Sequence, residues 1–428
     1  MRWLSFREQR RARCRRRIGM SGRRWALLAL ACTACSTSGV RVAETRPPGP
    51  GNAARVSASV LSSSSPSIPV AAGKHYVPTY GPPADQADAF SWLDGTHGEL
   101  LVAHTCGPAH RRCAAVFATV DGGKTWHRLG HPVADAGAGI AEEDCTSTTA
   151  CVSDIVFASP SVSYAFGPAA FISVDAGLTW RATPSLQVEA MAAADGVVWR
   201  LAYEHGGCPG PCDLHLQRAP IGTTAWETVK TYPLSDNNDR IFAGPGAVLV
   251  LRYANLANGT RVGPTIDAST DGGAQWTEHA DPCQQLPSRR YVVTDAATDG
   301  ARVVVTCYLL GAAANPVLMR ANLTDLRFTK MSKAPIDFAG HLTVRGDTVI
   351  VASGGTSGNG PFTYRVAVTH GLPEWDETLS DREHVAEDLV GPGGLELPDA
   401  THAYYIGYPY AIWRSTDAGL TWNPSNVP

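Results

Sequence analysis

Short apolar runs alternate with polar turns along most of the chain, and one polar turn recurs: Ser/Thr-x-Asp-x-Gly-x-Thr/Gln, followed by Trp. Intact copies are TVDGGKTW (119–126), SVDAGLTW (173–180), STDGGAQW (269–276) and STDAGLTW (415–422). Their tryptophans lie 54, 96 and 146 residues apart, close to one, two and three units of about 50, the range of propeller-blade repeats. At the intervening places stand APIGTTAW ending at Trp226, ANLTDLRF ending at Phe328 and VTHGLPEW ending at Trp375. Seven units then fill the chain from near residue 86 to its end.

Asp-x-Gly between two short strands is turn chemistry: the carboxylate accepts hydrogen bonds from nearby amides, and Gly supplies the positive φ that closes a hairpin. Asp121, Asp175, Asp271 and Asp417 therefore read as structural caps and not as acids or metal ligands. Trp126, Trp180, Trp276 and Trp422 would bury an apolar face between neighbouring sheets, with the indole N–H reaching a carbonyl. In the first unit the pattern predicts strand A near 89–93, B near 99–104, C near 114–119 and D from 125. The expected fold is all-β, a seven-bladed β-propeller of four-stranded antiparallel blades. The 42 Gly and 30 Pro leave little room for long helices.

The octapeptides resemble the Asp-boxes, or bacterial neuraminidase repeats, of sialidases, sortilin-type receptors, some glucanases and photosystem II assembly factors. Residues 154–180 align with 395–422 with one residue of slack, a phrasing most similar to the assembly-factor branch. The resemblance implies a β-propeller, a fold that hosts many unrelated functions. A sialidase would need three arginines converging on the substrate carboxylate, a Tyr nucleophile with a Glu partner, an Asp acid, and an Arg-Ile-Pro motif ahead of the first box. Between Lys74 and Thr119 the only arginines are Arg111 and Arg112, and that motif is absent. The glucanase-like members instead use two acidic residues. Glu142, Glu143 and Asp144 are the acidic candidates, although three consecutive acids read as a solvated loop. No Ser-His-Asp order, Gly-rich phosphate loop or His-rich metal spacing stands out, so no cofactor or metal is expected.

The N-terminus changes the picture. Ten Arg and one Glu precede residue 25, and the apolar run WALLALA (25–31) ends at Cys32, with Cys35 close behind. That run is far short of the roughly 20 residues of a membrane-spanning helix. It reads as a signal peptide with a loose lipobox over 1–35, starting at Met1 or Met20, with Cys32 or Cys35 the lipidated residue. A Ser/Pro/Ala-rich linker over 36–80 cannot bury enough surface to order itself, and the propeller occupies 86–428. Removing 1–32 takes ten and one from totals of 36 Lys+Arg and 39 Asp+Glu, leaving 26 against 38 and a net charge of −12. Such an acidic domain is a poor nucleic-acid binder. The expectation is an outward-facing membrane lipoprotein or a secreted protein, monomeric, with a protein or glycan ligand at the cell surface.

Eight further cysteines, an even number in an exported chain, favour disulfides, although 105 connectivities are possible. Proximity pairs Cys106 with Cys113, Cys145 with Cys151, Cys208 with Cys212, and Cys283 with Cys307. Zinc is the rival reading of Cys208 and Cys212, without a second pair at finger spacing. On the repeat, all four bridges fall on B-to-C or D-to-A connections, opposite the octapeptides. Loops on a rigid scaffold concentrate binding residues, which nominates His104, His110, Arg111, Tyr203, His205, Arg289, Arg290 and Tyr291. The alternative is that long loops need crosslinks only to resist unfolding and proteolysis. Labelling with an alkyne fatty acid should mark the protein, and Cys32→Ser or Cys35→Ser should abolish the label; an unlabelled, freely soluble product rules the anchor out.

Overall fold

The computed structural model describes residues 85–106, 111–132, 152–183, 187–203, 213–232, 239–252, 264–288, 291–309, 316–336, 340–355, 363–371, 374–381, 394–407 and 411–425. They form seven antiparallel sheets, each of four strands consecutive in the chain. The chain is a seven-bladed β-propeller. Blades one to seven span 85–128, 154–182, 188–232, 240–279, 291–333, 341–381 and 395–425. In blade one the strands run Asp85–Trp92, Gly98–Cys106, Arg111–Thr119 and His127–Arg128, as the pattern predicts. Strand A is innermost and touches the A strands of adjacent blades. Strand B, covered on both faces, reads as a near-continuous apolar run, for example Val162–Phe166, buried at every position. Strand D is on the rim, short and largely exposed, as at Arg181–Ala182.

Seven hydrophobic clusters hold the ring together, one in each gap between blades. The aromatic that ends each octapeptide packs into the gap with the preceding blade: Trp126 against blade seven, Trp180 against one, Trp226 against two, Trp276 against three, Phe328 against four, Trp375 against five and Trp422 against six. The three degenerate octapeptides thus keep the wedge without the Asp. Trp226 meets Tyr164 of blade two edge-on, with centroids 6.3 Å apart, and Trp276 meets Trp199 of blade three at 6.0 Å. Indole N–H groups find the expected carbonyl at Trp180 (Gly177 O, 3.2 Å) and Trp276 (Gly273 O, 3.1 Å). Trp375 and Trp422 instead donate across the seam to Ser332 Oγ and Thr378 Oγ1, at 2.6 and 3.0 Å.

The four intact octapeptide turns share one hydrogen-bond pattern. Asp175 Oδ1 accepts from the Ser173 hydroxyl and the Thr179 amide, each at 2.9 Å, and Oδ2 accepts from the Thr179 hydroxyl at 2.6 Å. The Gly177 amide returns to Ser173 Oγ at 2.8 Å. Asp121 and Asp417 repeat the arrangement, and Asp271 keeps the amide and Ser269 hydroxyl bonds while Gln275 replaces the threonine that would donate to Oδ2. The Thr125 hydroxyl and amide hold the Asp121 carboxyl well below the usual carboxylate range, and Thr179 does the same for Asp175. The backbone is left-handed at two successive residues, not only at the expected Gly: Gly122, Ala176, Gly272 and Ala418 have φ of 57 to 72°, and the glycines after them 76 to 89°.

The second left-handed residue faces the neighbouring blade. A Cβ on Gly273 would lie 2.2 Å from Trp199 of blade three, and one on Gly419 would lie 2.9 Å from Ile350 of blade six. A Cβ on Gly272 meets nothing within 4 Å.

The ring closes without a shared strand. Trp92 of blade one stacks on Tyr404 of blade seven, with centroids 3.4 Å apart and planes at 7°. The Tyr404 hydroxyl donates to Gly95 O at 2.8 Å, and Ser425 Oγ to Gly123 O. Of the four expected bridges, Cys283–Cys307 is present, with Cα atoms 5.5 Å apart in the core between blades four and five. Side chains at Cys106 and Cys113, and all of Cys145, Cys151, Cys208 and Cys212, lie outside the described residues.

Gly272→Ala and Gly273→Ala separate turn geometry from seam packing. Both impose a left-handed alanine, which boxes two and seven already carry at the first position, so Gly272→Ala should cost about 1 kcal/mol or less. Gly273→Ala adds the collision with Trp199 and should cost roughly 2–4 kcal/mol by denaturant unfolding; equal losses would show that the turn alone sets the requirement.

Candidate functional site

Each of the seven innermost strands contributes an ionisable residue: Asp88, Asp154, Glu189, Arg240, Asp295, His341 and Glu396. On one side of the ring three of them form a cluster across blades four to six. Arg240 Nη1 donates to Asp295 Oδ1 at 2.6 Å. Asp295 is buried, which pushes its carboxyl up, while Arg240 and the Ala296 and Leu342 amides act in the opposite direction. Burial, and then the Arg240 charge, pull the His341 imidazole down to about 3, so it is neutral at physiological pH.

Opposite stand Glu396 of blade seven and Asp154 of blade two. Glu396 Oε2 accepts from the Trp92 amide of blade one at 2.9 Å. Burial pushes Glu396 up to about 8; the Asp154 charge adds to this, and the Trp92 amide opposes it. A further raised carboxyl, Glu99, sits in the seam between blades one and two, taking the Ser163 hydroxyl on Oε1 at 2.6 Å, and burial pushes it up to about 7. At the octapeptide end a cavity of about 240 Å³ opens among the A-to-B turns of blades four to seven, lined by Pro245, Asp299, Thr343, Arg345, Glu396 and Pro398 among others. Among the described residues, no group of three His, Cys, Asp or Glu side chains is placed to hold a metal.

Four arginines are spent on seams. Arg218 of blade three donates to Gly272 O of blade four at 3.0 Å, and Arg240 joins four to five. Arg302 joins five to six through Gly346 O, at 2.7 Å, and Asp347; Arg345 joins six to seven through Leu397 O, at 3.1 Å, and Pro398 O. Each reaches forward to the next blade, and these four do not converge on one point.

Of the nominated binding residues, Tyr203 is buried in the core between blades three and four, its hydroxyl donating to Glu189 Oε2 at 2.5 Å. Tyr291 begins the A strand of blade five, half-buried beside the core that contains Cys283 and Cys307. His104 pairs with Cys113, and Cys106 with Arg111, where strands B and C of blade one end. These positions are on blades one, three and five and do not form one cluster. His110, His205, Arg289 and Arg290 lie outside the described residues, as do Glu142, Glu143 and Asp144.

The inner-strand groups were not nominated from sequence. One signal was available: Asp154 and Glu396 each stand 26 residues before an octapeptide Trp, Trp180 and Trp422. Two carboxylates at one repeat phase would be carried into the same layer of the ring.

No family model matches the chain, and no curated protein does. Among solved structures it is similar to YCF48 bound to a D1 peptide, at 13% identity over 65% of this chain and 82% of that one, with a TM-score of 0.42. It is also similar to the β-propeller domain of the Trilobed protease from Pyrococcus furiosus, at 6% identity over 81% and 96%, TM-score 0.49. A GH74 enzyme from Niastella koreensis matches at 12% identity over 80% and 72%, TM-score 0.27. Likenesses this low carry no functional argument, and the fold rests on the seven sheets themselves.

Glu396 gives the ring a pH dependence whose sign follows from its shift. Between its ordinary value of 4.5 and about 8 the folded state keeps a proton that the unfolded chain has lost, so stability falls as pH rises through that window. Glu396→Gln keeps an acceptor for Trp92 but cannot ionise. It should flatten the pH profile and gain about 1–2 kcal/mol near pH 8 in thermal or denaturant unfolding; a variant profile parallel to wild type assigns the dependence elsewhere.

Proposed function

We propose that the chain is an exported Asp-box propeller that acts without catalysis, as a binding or assembly scaffold for a protein or glycan at the cell surface. In this reading residues 1–35 are the signal peptide, 36–80 the linker and 86–428 the propeller, with a lipid on Cys32 or Cys35 or a released, secreted form. The observation that carries it is the asymmetry of the connections. Consecutive antiparallel strands send the A-to-B and C-to-D turns to one end of the ring and the B-to-C and D-to-A connections to the other. At the octapeptide end no turn is longer than residues 120–126 of blade one, and these turns are tied to one another: the Gly246 amide donates to Asp195 at 2.5 Å and the Gly346 amide to Asp299 at 2.9 Å. At the other end the segments 129–153, 204–213, 253–264, 280–290 and 382–394 separate consecutive strands. A rigid frame with its length variation at one end is the usual arrangement of a recognition scaffold.

The runner-up is an exo-acting glycosidase of sialidase type. What favours it is the split between Glu396, held protonated at neutral pH, and Asp154 near it, the division that acid and base carboxyls need. Four arginines that reach forward between blades weigh against it.

Photo-crosslinking residues at His205 and Asn258, in two long connections, and at Thr270, in an octapeptide, should give discrete crosslinked species on whole cells from the first two sites only. Crosslinks from Thr270 alone would move the recognition face. Turnover of a fluorogenic sialoside that is lost in Glu396→Gln would replace the scaffold reading with the enzymatic one.

A further inference from the structure

Strand B of each blade faces the next blade at one register, the residue after the partner of the first octapeptide position. In blades seven, two, three, four and five that residue is Tyr404, Tyr164, Trp199, Leu249 and Val304, and Ile350 takes the same place in blade six. All six are at most 2% exposed and belong to the core shared with the blade that follows. In blade one the residue is Glu99, next to Gly98, the partner of Thr119. The seam between blades one and two thus has a carboxyl where the other six have an aromatic or aliphatic side chain.

Glu99 is 1% exposed. Its Oε1 takes the Ser163 hydroxyl across the seam, and among the described residues its Oε2 is buried with no hydrogen-bond partner. The adjoining core of Leu101, Val116, Phe171 and Trp180 is apolar. Packing adjusts around the shorter side chain: Gly177, whose counterparts Gly273 and Gly419 face Trp199 and Ile350, faces Leu129 just past the outer strand of blade one. There the Gly130 amide donates across the seam to Gly177 O at 2.9 Å. The ionisable groups described on the surrounding elements are Asp88 and Asp154 on the inner strands, Asp94 and His97 in the turn before Glu99, and Tyr164 beside Ser163; beyond these are Asp175 in the octapeptide turn, and His127, Arg128 and Arg181 on the outer strands. Glu99 is paired with none of them, and its ionisation is set by burial, against which only the Ser163 hydroxyl acts.

We propose that the seam between blades one and two is a proton-dependent latch, closed while Glu99 is a carboxylic acid and released when it gives up its proton. A carboxylate shut into this seam would be a charge with one neutral hydrogen bond, and parting the blades is what hydrates it. The sign follows from the two states. Once hydrated, the carboxyl returns to its ordinary value of 4.5, whereas in the closed seam burial pushes it up to about 7. Between these values the closed seam holds a proton that the open one has lost, so each pH unit favours opening about tenfold. Above about 7 both states are ionised and the preference levels off. No other seam has a carboxyl at this register, so local opening starts here. Glu396 acts elsewhere, on an inner strand against the closing seam of blades seven and one.

The Gly130 amide reports on the latch, because its hydrogen bond crosses the seam. In the full chain its hydrogen exchange, corrected for the intrinsic rise of exchange with pH, should quicken about tenfold per unit from about pH 5 to about 7 and then level off. Glu99→Gln keeps an acceptor for Ser163 and cannot ionise, so its corrected rate should be flat. Glu99→Leu, the residue that blade four carries at this register, should be flat as well and gives a second route should the glutamine pack poorly. Ser163→Ala removes the hydroxyl that favours the ionised form and should move the levelling point to higher pH. Glu396→Gln should leave the Gly130 profile as it is. A wild-type rate with no pH dependence overturns the proposal, as does a dependence that survives in both Glu99 variants. A dependence that Glu396→Gln removes also overturns it, assigning the exchange to unfolding of the whole ring.

Discussion

Each blade is fastened by an aromatic ring that its own C-to-D turn drives into the seam with the preceding blade. A four-stranded sheet buried on both faces cannot satisfy itself, and the gap between two twisted sheets widens toward the rim, where D strands are short. A flat side chain on the rim turn fills that gap from outside while the B strands fill it from within. The requirement is geometric, which explains why Phe328 serves where tryptophan is absent and why Trp226 persists in a turn that has no Asp. The Asp-x-Gly chemistry aims the ring; it does not hold the blades.

Polar interactions then divide the ring into two unlike ends. At the octapeptide end each box carboxylate is satisfied within its own turn, and Arg218, Arg302 and Arg345 reach forward to tie blades three to four, five to six and six to seven. Along the inner strands Asp295, His341 and Glu396 sit where burial works against their charged forms; the Arg240 charge favours ionised Asp295 and disfavours protonated His341. Charges placed against their own solvation are a standing cost, and channels and clefts are where proteins retain them.

Most of the architecture was legible because it repeats. An aromatic at a spacing of about 50 residues located every blade, and the strand order of blade one followed from apolar runs on either side of a known turn. Two features were hidden. The left-handed residue before the box Gly is Ala in two copies, Ala176 and Ala418, and nothing about alanine announces positive φ; only the closure of the Asp cap imposes it. The inner-strand charges were hidden for another reason: a lone Asp or Glu in a short strand reads as a solvent-facing position, and what makes Glu396 unusual is its burial, against a blade whose Trp92 lies 304 residues earlier in the chain. Tyr203 shows the converse, a residue that looked like a loop-edge anchor and is instead a core tyrosine satisfied by Glu189.

The seam between blades seven and one has a temporal meaning. Every other seam joins blades adjacent in the chain, so it forms as soon as the next unit emerges. The partner of Trp92 arrives last: the Tyr404 hydroxyl and Gly95 are 309 residues apart. Throughout synthesis the outer face of blade one stays uncovered, an apolar surface awaiting the final blade. A chain truncated between residues 381 and 395 would keep six blades and still present that face to the solvent, together with the face of blade six that blade seven covers, an open arc with two sticky ends.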